Sequence, residues 1–219
     1  MTETWLITGA NRGLGRALTE AALAAGHRVV ATVRGDTSLE PSERLRVHRL
    51  DVRDRAGAFA LLGEVGPVDV LVNNAGGGLV GAVEEISEDE ARAIIDTDLF
   101  GALWLTQAVL PGMRARGGGQ VVQISSVGGA GAMPFFGLYN AAKWALEGFS
   151  EARARQVRGS GTRLTTAELG AVDTHWATGM DTPRSTPATK TATMAGTTTS
   201  TAVSTLPPMN CAGDSADSI

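Results

Sequence analysis

The sequence predicts an α/β fold of the doubly wound kind, in which helices cover both faces of a parallel sheet. Short apolar runs alternate with longer helical patterns along the chain, an order typical of this class. Several runs are uninterrupted, as expected of strands that are buried on both faces. The predicted strands are Thr4–Thr8, Arg28–Val33, Arg46–Leu50, Val68–Asn73, Gln120–Ser125 and Arg163–Glu168.

Segments of helical length fill the gaps between these strands. Ser87 followed by Glu90 is a capping-box signal for the start of the third helix. Pro111 lies inside the same segment and is expected to end or kink it. The predicted helices are Gly13–Ala25, Arg53–Gly63, Ser87–Arg116 and Tyr139–Arg158.

Composition and charge narrow the class of protein. The 219 residues are 43% apolar and 19% charged with a net charge of -4, which is ordinary for one globular domain and gives no basic surface for nucleic acid. Met1–Trp5 lacks the basic start and apolar run of a signal peptide, so a cytoplasmic location is expected. A single cysteine, Cys211, and three widely spaced histidines predict neither an internal disulfide nor a metal site.

Two segments have unusual composition. The uncharged stretch 117–142 contains too many glycines and polar residues for a lipid-facing helix, so we interpret it as protein interior rather than a membrane span. After a folded domain over 1–176, residues 177–219 are rich in Thr, Ser, Ala and Pro and have almost no apolar periodicity. This composition favours disorder, and a loose lid over the site is the alternative.

A glycine-rich loop joins the first strand to the first helix. In TGANRGLG, Gly9 permits a tight turn, Gly13 lets the backbone approach a pyrophosphate, and Gly15 lets the helix pack against the strand. The phosphates would lie at the helix N-terminus, where free N–H groups favour negative charge. A Rossmann-type dinucleotide site is therefore predicted, and its loop contacts are Gly9, Asn11, Arg12, Gly13, Leu14 and Gly15.

The residue at the end of the second strand indicates whether NAD or NADP(H) is the cofactor. Arg34 follows that strand, and Arg12 adds a second guanidinium, which suits the 2′-phosphate of NADP(H). The alternatives are that both arginines are solvated loop residues and that Asp36 serves NAD. Asp51, followed by Val52 at the end of the third strand, is either an adenine contact or a turn residue.

A proton-transfer centre is predicted from three further residues. Tyr139 and Lys143 are four residues apart on a helix and share one face. A neighbouring ammonium favours the phenolate, which makes Tyr139 a candidate general acid and base. Ser126 comes just after the predicted fifth strand, at the sheet edge where ligands bind, and its hydroxyl can orient a carbonyl oxygen.

Together these motifs resemble the short-chain dehydrogenase/reductase family over roughly Thr4 to Trp176. TGANRGLG resembles its cofactor loop, and Arg12 with Arg34 resembles its NADP-preferring subgroup. The resemblance implies that Lys143 also binds the nicotinamide ribose and that Thr174 contacts the nicotinamide amide. Segment 73–76 repeats the family motif NNAG, which implies a stabilised central sheet and cofactor contacts by Asn74, Ala75 and Gly76.

The chain departs from the family pattern in three places. Asp98 stands where the family has an asparagine that helps hold a water of the proton relay, and a carboxylate there would hold the Lys143 ammonium more firmly. Leu169–Gly170 replaces the usual proline-glycine. The family's closing helical segment, strand and helix are not recognisable after Trp176. The sheet is therefore predicted to be incomplete at its C-terminal edge, and the hypothesis that this suggests is a truncated or reading-frame-shifted product.

The sequence thus predicts an NADP(H)-dependent oxidoreductase acting on a small-molecule ketone or secondary alcohol. Its predicted catalytic residues are Ser126, Tyr139, Lys143 and Asp98. The alternative is a catalytically impaired dinucleotide-binding protein. The loop 133–138 predicts either an apolar substrate wall or core packing, and the resemblance implies that helices over Ser87–Arg116 and Tyr139–Arg158 form a homo-oligomer contact.

Overall fold

A computed structural model describes residues 2–157 and 159–170. Its six strands form one sheet in the order β3-β2-β1-β4-β5-β6, and every neighbouring pair is parallel. The doubly wound parallel sheet predicted from the sequence is confirmed. The strands are β1 Thr4–Thr8, β2 Arg28–Val33, β3 Leu45–Arg49, β4 Val70–Asn73, β5 Gly119–Ser126 and β6 Thr162–Leu169.

The helices lie between the strands in the predicted order. Their bounds are α1 Gly13–Ala24, α2 Arg55–Val65, α3 Glu88–Ile95, α4 Gly101–Ala115 and α5 Gly137–Gln156. Ser87 and Glu90 form both bonds of the predicted capping box at the start of α3.

The predicted third helix differs from the sequence expectation near its middle. Its regular α-helix is interrupted at Asp96–Phe100, which is a π-helical turn, and not at Pro111. The expected end at Pro111 is wrong, because α4 continues to Ala115. The ring of Pro111 lies on the exposed side of the helix.

Side chains from alternate strand positions build a separate core on each face of the sheet. Leu6, Leu71 and Val121 pack on one face against α2 and α4, where Leu105 and Met113 are fully buried. The opposite face carries Ile7, Ala31 and Val72 with α1 residues such as Ala22. This arrangement explains why the central strands are apolar throughout.

One helical stretch among the described residues, 88–115, has the length and hydropathy of a membrane span. Its apolar side packs on the sheet through Leu105, Val109 and Met113, which are all buried. The hydropathy of this stretch is therefore accounted for by core packing.

The C-terminal edge of the sheet is formed by β6 in the described chain, where it pairs with β5 alone. Residues 171–219 lie outside the described residues. The predicted domain boundary at 176, the low-complexity tail and Thr174 all fall in that range, so these remain predictions.

Thr8 joins the glycine-rich loop to the NNAG segment. Its hydroxyl donates to the Val72 carbonyl at 3.3 Å and accepts from the backbone N–H groups of Asn74 and Ala75, each at 2.9 Å. Thr8 is completely buried. The Thr8 side chain thereby ties the end of β1 to the segment that follows β4.

We expect Thr8→Val to destabilise the fold by about 1 to 3 kcal/mol, because two backbone donors lose their acceptor while the side-chain volume is kept. Urea unfolding measures this change. Thr8→Ser keeps the hydroxyl and loses only the methyl group, so it is the control. A loss in Thr8→Val no larger than that in Thr8→Ser would contradict the role assigned to the hydroxyl.

Candidate active site

The glycine-rich loop adopts the backbone conformation that a phosphate-binding turn requires. Gly9 and Gly13 have positive φ values of 64° and 55°. A Cβ on Gly15 would lie 2.4 Å from the Gly9 carbonyl oxygen, so only glycine allows α1 to approach β1 this closely. The first N–H groups of α1, at Gly13, Leu14 and Gly15, point from the helix end without helical partners.

The two arginines predicted to select NADP(H) both lie exposed at this end of the sheet. Arg12 is the N-cap residue of α1, and Arg34 follows the last residue of β2. Neither side chain has an ion-pair partner among the residues that the structure describes. Both guanidinium groups are available to an anionic ligand.

Asp36, the residue that would serve NAD in the alternative interpretation, forms an ion pair with Arg49. Its carboxylate pairs with Arg49 at 3.0 Å, and its side chain is fully exposed. The Asn11 amide donates to the Asp36 backbone carbonyl at 3.0 Å. Asn11 therefore fixes the loop that follows β2 rather than presenting its amide freely to a ligand.

Asp51 has a partner that sequence reasoning missed. The Arg53 guanidinium contacts both carboxylate oxygens at 2.5 to 3.1 Å, and this hydrogen bonding lowers the pKa of Asp51. Val52 beside it is buried. The i, i+2 spacing of opposite charges was the available signal. An adenine contact by Asp51 would have to share the carboxylate with Arg53.

The NNAG segment lies across the cleft from the glycine-rich loop. The Asn74 amide donates to the Thr8 carbonyl at 2.8 Å and to the Gly9 carbonyl at 3.3 Å. A Cβ on Gly9 would approach the Cα of Ala75 to 2.9 Å. Asn73 is buried and donates to Thr106 and Gln123, which links β4, α4 and β5.

The structure brings Ser126 and Tyr139 together. Ser126 is the last residue of β5, and its hydroxyl accepts from the Gly128 N–H at 3.1 Å. The Ser126 and Tyr139 side chains are joined by a hydrogen bond. Tyr139 lies in the first turn of α5, is 3% exposed, and meets the Phe136 ring edge-on.

Lys143 lies one helical turn further along α5, beneath the Tyr139 ring. Its ammonium is 5.9 Å from the centre of that ring and donates to the Ile124 carbonyl at 3.2 Å. The side chain is 8% exposed. The predicted grouping of Ser126, Tyr139 and Lys143 at the carboxyl ends of the strands is thus the arrangement found.

Asp98 forms a buried ion pair with Lys143, with 3.2 Å between Oδ2 and Nζ. Its other carboxylate oxygen accepts from the Gly77 N–H at 2.8 Å. A Cβ on Gly76 would lie 3.3 Å from Asp98 Oδ2 and 3.5 Å from Lys143 Nζ, so this segment closes over the pair. Complete burial raises the pKa of Asp98, although Lys143 and Gly77 oppose the rise.

Opposing effects act on the phenol of Tyr139. Burial raises the pKa of Tyr139, and the Asp98 charge raises it further. The Ser126 hydrogen bond and the Lys143 charge lower it. The net result is a pKa above the ordinary value of tyrosine. A bound oxidised nicotinamide would add a positive charge that favours the phenolate.

Asn140 is a positioning residue that sequence reasoning missed. Its amide donates to the carbonyls of Gly128 and Gly131 at 2.7 and 3.1 Å, and its oxygen accepts from the Met133 N–H at 3.1 Å. A buried asparagine on a helix beside a glycine-rich turn was the available signal. Asn140 holds the loop that precedes α5 against the helix.

The loop 133–138, predicted to be either an apolar substrate wall or part of the core, contains both half-buried and exposed residues. Phe136 and Leu138 pack against Leu79, Ile94 and Tyr139, which favours the core interpretation for these two. Met133 and Pro134 are exposed, and Phe135 is half-buried with a positive φ of 68°. Its carbonyl accepts from the Gly81 N–H at 2.9 Å, which supports this strained conformation.

A parallel sheet with a glycine-rich turn after β1 and a buried serine, tyrosine and lysine defines a class of dinucleotide-linked oxidoreductases. The family model described as short chain dehydrogenase matches residues 3–184. The chain therefore belongs to the short-chain dehydrogenase family.

Individual relatives agree with this assignment. The chain is 38% identical over 194 residues to oxidoreductase BOA17 of Botryotinia fuckeliana, a match that covers 84% of this chain and 71% of the relative. Two other curated relatives are matched over 64% and 62% of their lengths, so the chain spans less than two thirds of them.

Solved structures share the fold. A short-chain dehydrogenase from Streptomyces avermitilis is similar with a TM-score of 0.82 and 39% identity, over 90% of this chain and 78% of that one. The closed form of a serine dehydrogenase complexed with NADP+ is similar with a TM-score of 0.77 and 31% identity, over 81% and 76% of the two chains.

Removal of the Lys143 charge tests the buried pair. Lys143→Met leaves the Asp98 carboxylate buried without its counter-charge, and we expect a loss of about 3 to 5 kcal/mol at neutral pH. Lys143 opposes the rise that burial causes in the pKa of Asp98, so this pKa is raised further in the folded variant, which keeps a proton that the unfolded chain releases. The loss should therefore be small in acid and grow as pH rises above about 4.

Urea unfolding over a range of pH measures this dependence. Lys143→Met combined with Asp98→Asn removes both charges and should recover most of the stability at neutral pH. A loss in Lys143→Met that does not change with pH would contradict the assignment to Asp98.

Proposed function

We propose that this chain is an NADP(H)-dependent oxidoreductase that interconverts a ketone and a secondary alcohol. The observation that carries the proposal is the contact of Tyr139 with Ser126 and Lys143 beside the glycine-rich loop. When bound, the nicotinamide supplies or accepts the hydride. The residues of the chain then have to supply a proton, orient the substrate oxygen and exclude water.

Each side chain has a distinct task in this proposal. Tyr139 Oη donates a proton to the carbonyl oxygen during reduction and removes it from the alcohol during oxidation. The Ser126 hydroxyl, already hydrogen-bonded to Tyr139, orients the same oxygen. Lys143 stabilises the phenolate that remains and, by family resemblance, binds the nicotinamide ribose.

The preference for NADP(H) is supported by charge. Arg12 and Arg34 lie exposed at the end of the sheet where the adenosine ribose would bind, while Asp36 is paired with Arg49. Guanidinium groups bind phosphate through paired hydrogen bonds. The similar serine dehydrogenase structure is a complex with NADP+. The remaining proposed contacts are Gly9, Asn11, Gly13, Leu14, Gly15, Asp51, Val52, Asn74, Ala75, Gly76, Tyr139, Lys143 and Thr174.

A catalytically impaired dinucleotide-binding protein is the second candidate. It is favoured by Asp98, which replaces the family's relay asparagine and pairs directly with Lys143. Turnover of any carbonyl substrate with a normal rate would exclude it.

We also propose how the chain associates. Phe100 is 36% exposed and stacks at 5.6 Å on the partly buried Trp104, and Trp144 is 52% exposed on α5. A groove between α4 and α5 is lined by Leu103 and Phe149. These surfaces fit the homo-oligomer contact implied by the family. A small-molecule substrate and a cytoplasmic location complete the proposal.

Tyr139→Phe tests the acid and base role. The variant keeps the ring and loses the proton, so we expect turnover of a carbonyl panel with NADPH to fall by about 10²- to 10⁴-fold while NADPH binding is retained. Steady-state kinetics and fluorescence titration of NADPH measure the two quantities. Unchanged turnover would remove Tyr139 from the mechanism.

Arg34→Ala tests the cofactor preference. Loss of charge-assisted bonds to the 2′-phosphate should raise the Kd of NADPH by about 10- to 100-fold and leave that of NADH nearly unchanged. Arg28→Ala, at the opposite end of β2, is the matched control. Equal weakening of NADPH and NADH by Arg34→Ala would show that Arg34 does not read the phosphate.

A further inference from the structure

The charges that face Tyr139 come from two neighbouring elements. The Lys143 ammonium, on α5, is 5.9 Å from the centre of the Tyr139 ring. Asp98, in the π-helical turn Asp96–Phe100, lies 3.2 Å from that ammonium, and its charge acts on the phenol. The other elements packed against the ring contribute the Ser126 hydroxyl and the uncharged side chains of Leu79, Ile94 and Phe136. Glu147, one turn beyond Lys143, lies with its side chain against Gly129 instead.

The geometry makes Asp98 the counter-charge of Lys143. The carboxylate is completely buried, 3.2 Å from the ammonium, and is fixed on its other side by the Gly77 N–H. Interactions between buried charges are weakly screened. The field of the ammonium at the phenol is therefore partly cancelled by a negative charge that the protein holds in place.

We propose that Asp98 offsets the positive charge that Lys143 presents to Tyr139 and so keeps Tyr139 a neutral proton donor, which adapts this site to carbonyl reduction. The inference rests on the proposed function for the direction of the reaction. The electrostatic part concerns only residues of this chain.

The chemical balance shows why the charge state matters. In reduction, the carbonyl carbon gains a hydride from NADPH and the oxygen gains the Tyr139 proton, so the phenol must be protonated at the start. In oxidation, the phenolate must first accept the alcohol proton, and the hydride leaves to NADP+. A phenol that resists ionisation favours the first rate over the second at neutral pH.

The sequence provides a direct probe, because Tyr139 is the only tyrosine. We would label the full-length protein with ¹³Cζ-tyrosine and follow its single resonance by NMR as pH is raised, without substrate or cofactor. Asp98→Asn should lower the titration midpoint of Tyr139 by about one to two pH units, because the variant removes one buried negative charge that opposes the charge of Lys143. Circular dichroism of the same samples identifies the pH range in which each protein is folded.

Asp96→Asn is the matched control. It removes one negative charge from the same π-helical turn. The charge of Asp96 affects the pKa of Arg53, whereas the charges that affect the pKa of Tyr139 are those of Lys143 and Asp98. Its midpoint should equal that of the unmodified protein. An unchanged or higher midpoint in Asp98→Asn, or an equal decrease in both variants, would overturn the proposal.

Two further measurements keep the test decisive. If Asp98→Asn does not fold alone, the double variant Lys143→Met, Asp98→Asn removes both charges, and the proposal requires its midpoint to stay close to that of the unmodified protein. A clearly higher midpoint in the double variant would mean that Lys143 acts on Tyr139 without an offset and would overturn the proposal. Where the variant folds, the pH profile of NADP+-linked alcohol oxidation should move to lower pH by the same amount. Loss of turnover in Tyr139→Phe tests the proposed function separately, because the NMR titration needs no turnover.

Discussion

The parallel pairing of β1, β4 and β5 is the constraint on which the rest of the site depends. Leu6 lies beside Leu71, and Leu71 lies beside Val121, so the three strands run in one direction and end at one edge of the sheet. The glycine-rich loop begins at the end of β1, the NNAG segment begins at the end of β4, and Ser126 is the last residue of β5. Residues more than a hundred positions apart in the chain therefore meet at one cleft. Thr8 and Asn74 then fix the distance between two sides of that cleft.

A buried pair of opposite charges adds a second constraint. Removing Lys143 and Asp98 from water is unfavourable, and their mutual attraction offsets this only when additional hydrogen bonds are made. Those bonds come from the Gly77 N–H and the Ile124 carbonyl, which belong to segments after β4 and within β5. The pair thus links α5 and the π-helical turn to the centre of the sheet. Its electrostatic effect on Tyr139 follows from the same packing.

The sequence was sufficient to predict the order of strands and helices and the meeting of Ser126, Tyr139 and Lys143, because apolar periodicity and motif spacing are local signals. It was insufficient where a contact is long-range or where packing overrides propensity. Pro111 was expected to end or kink a helix, yet α4 continues past it with the ring on the exposed side, and the interruption lies in the π-helical turn that carries Asp98. Asn140 and Arg53 leave only weak signals in the sequence, and their roles become specific only through the atoms that they contact.

Asn140 connects the loop before α5 to the helix on which Tyr139 and Lys143 lie. Its side chain bonds to the backbone of Gly128, Gly131 and Met133, which attaches this loop to α5. The attachment uses backbone groups of the loop, and it leaves the side chains of Met133, Pro134 and Phe135 out of the hydrogen-bond pattern. In the proposed function, the side chains of residues 133–135 can therefore be exchanged without displacing Tyr139 and Lys143, so a change of substrate would need no change in the residues that transfer the proton.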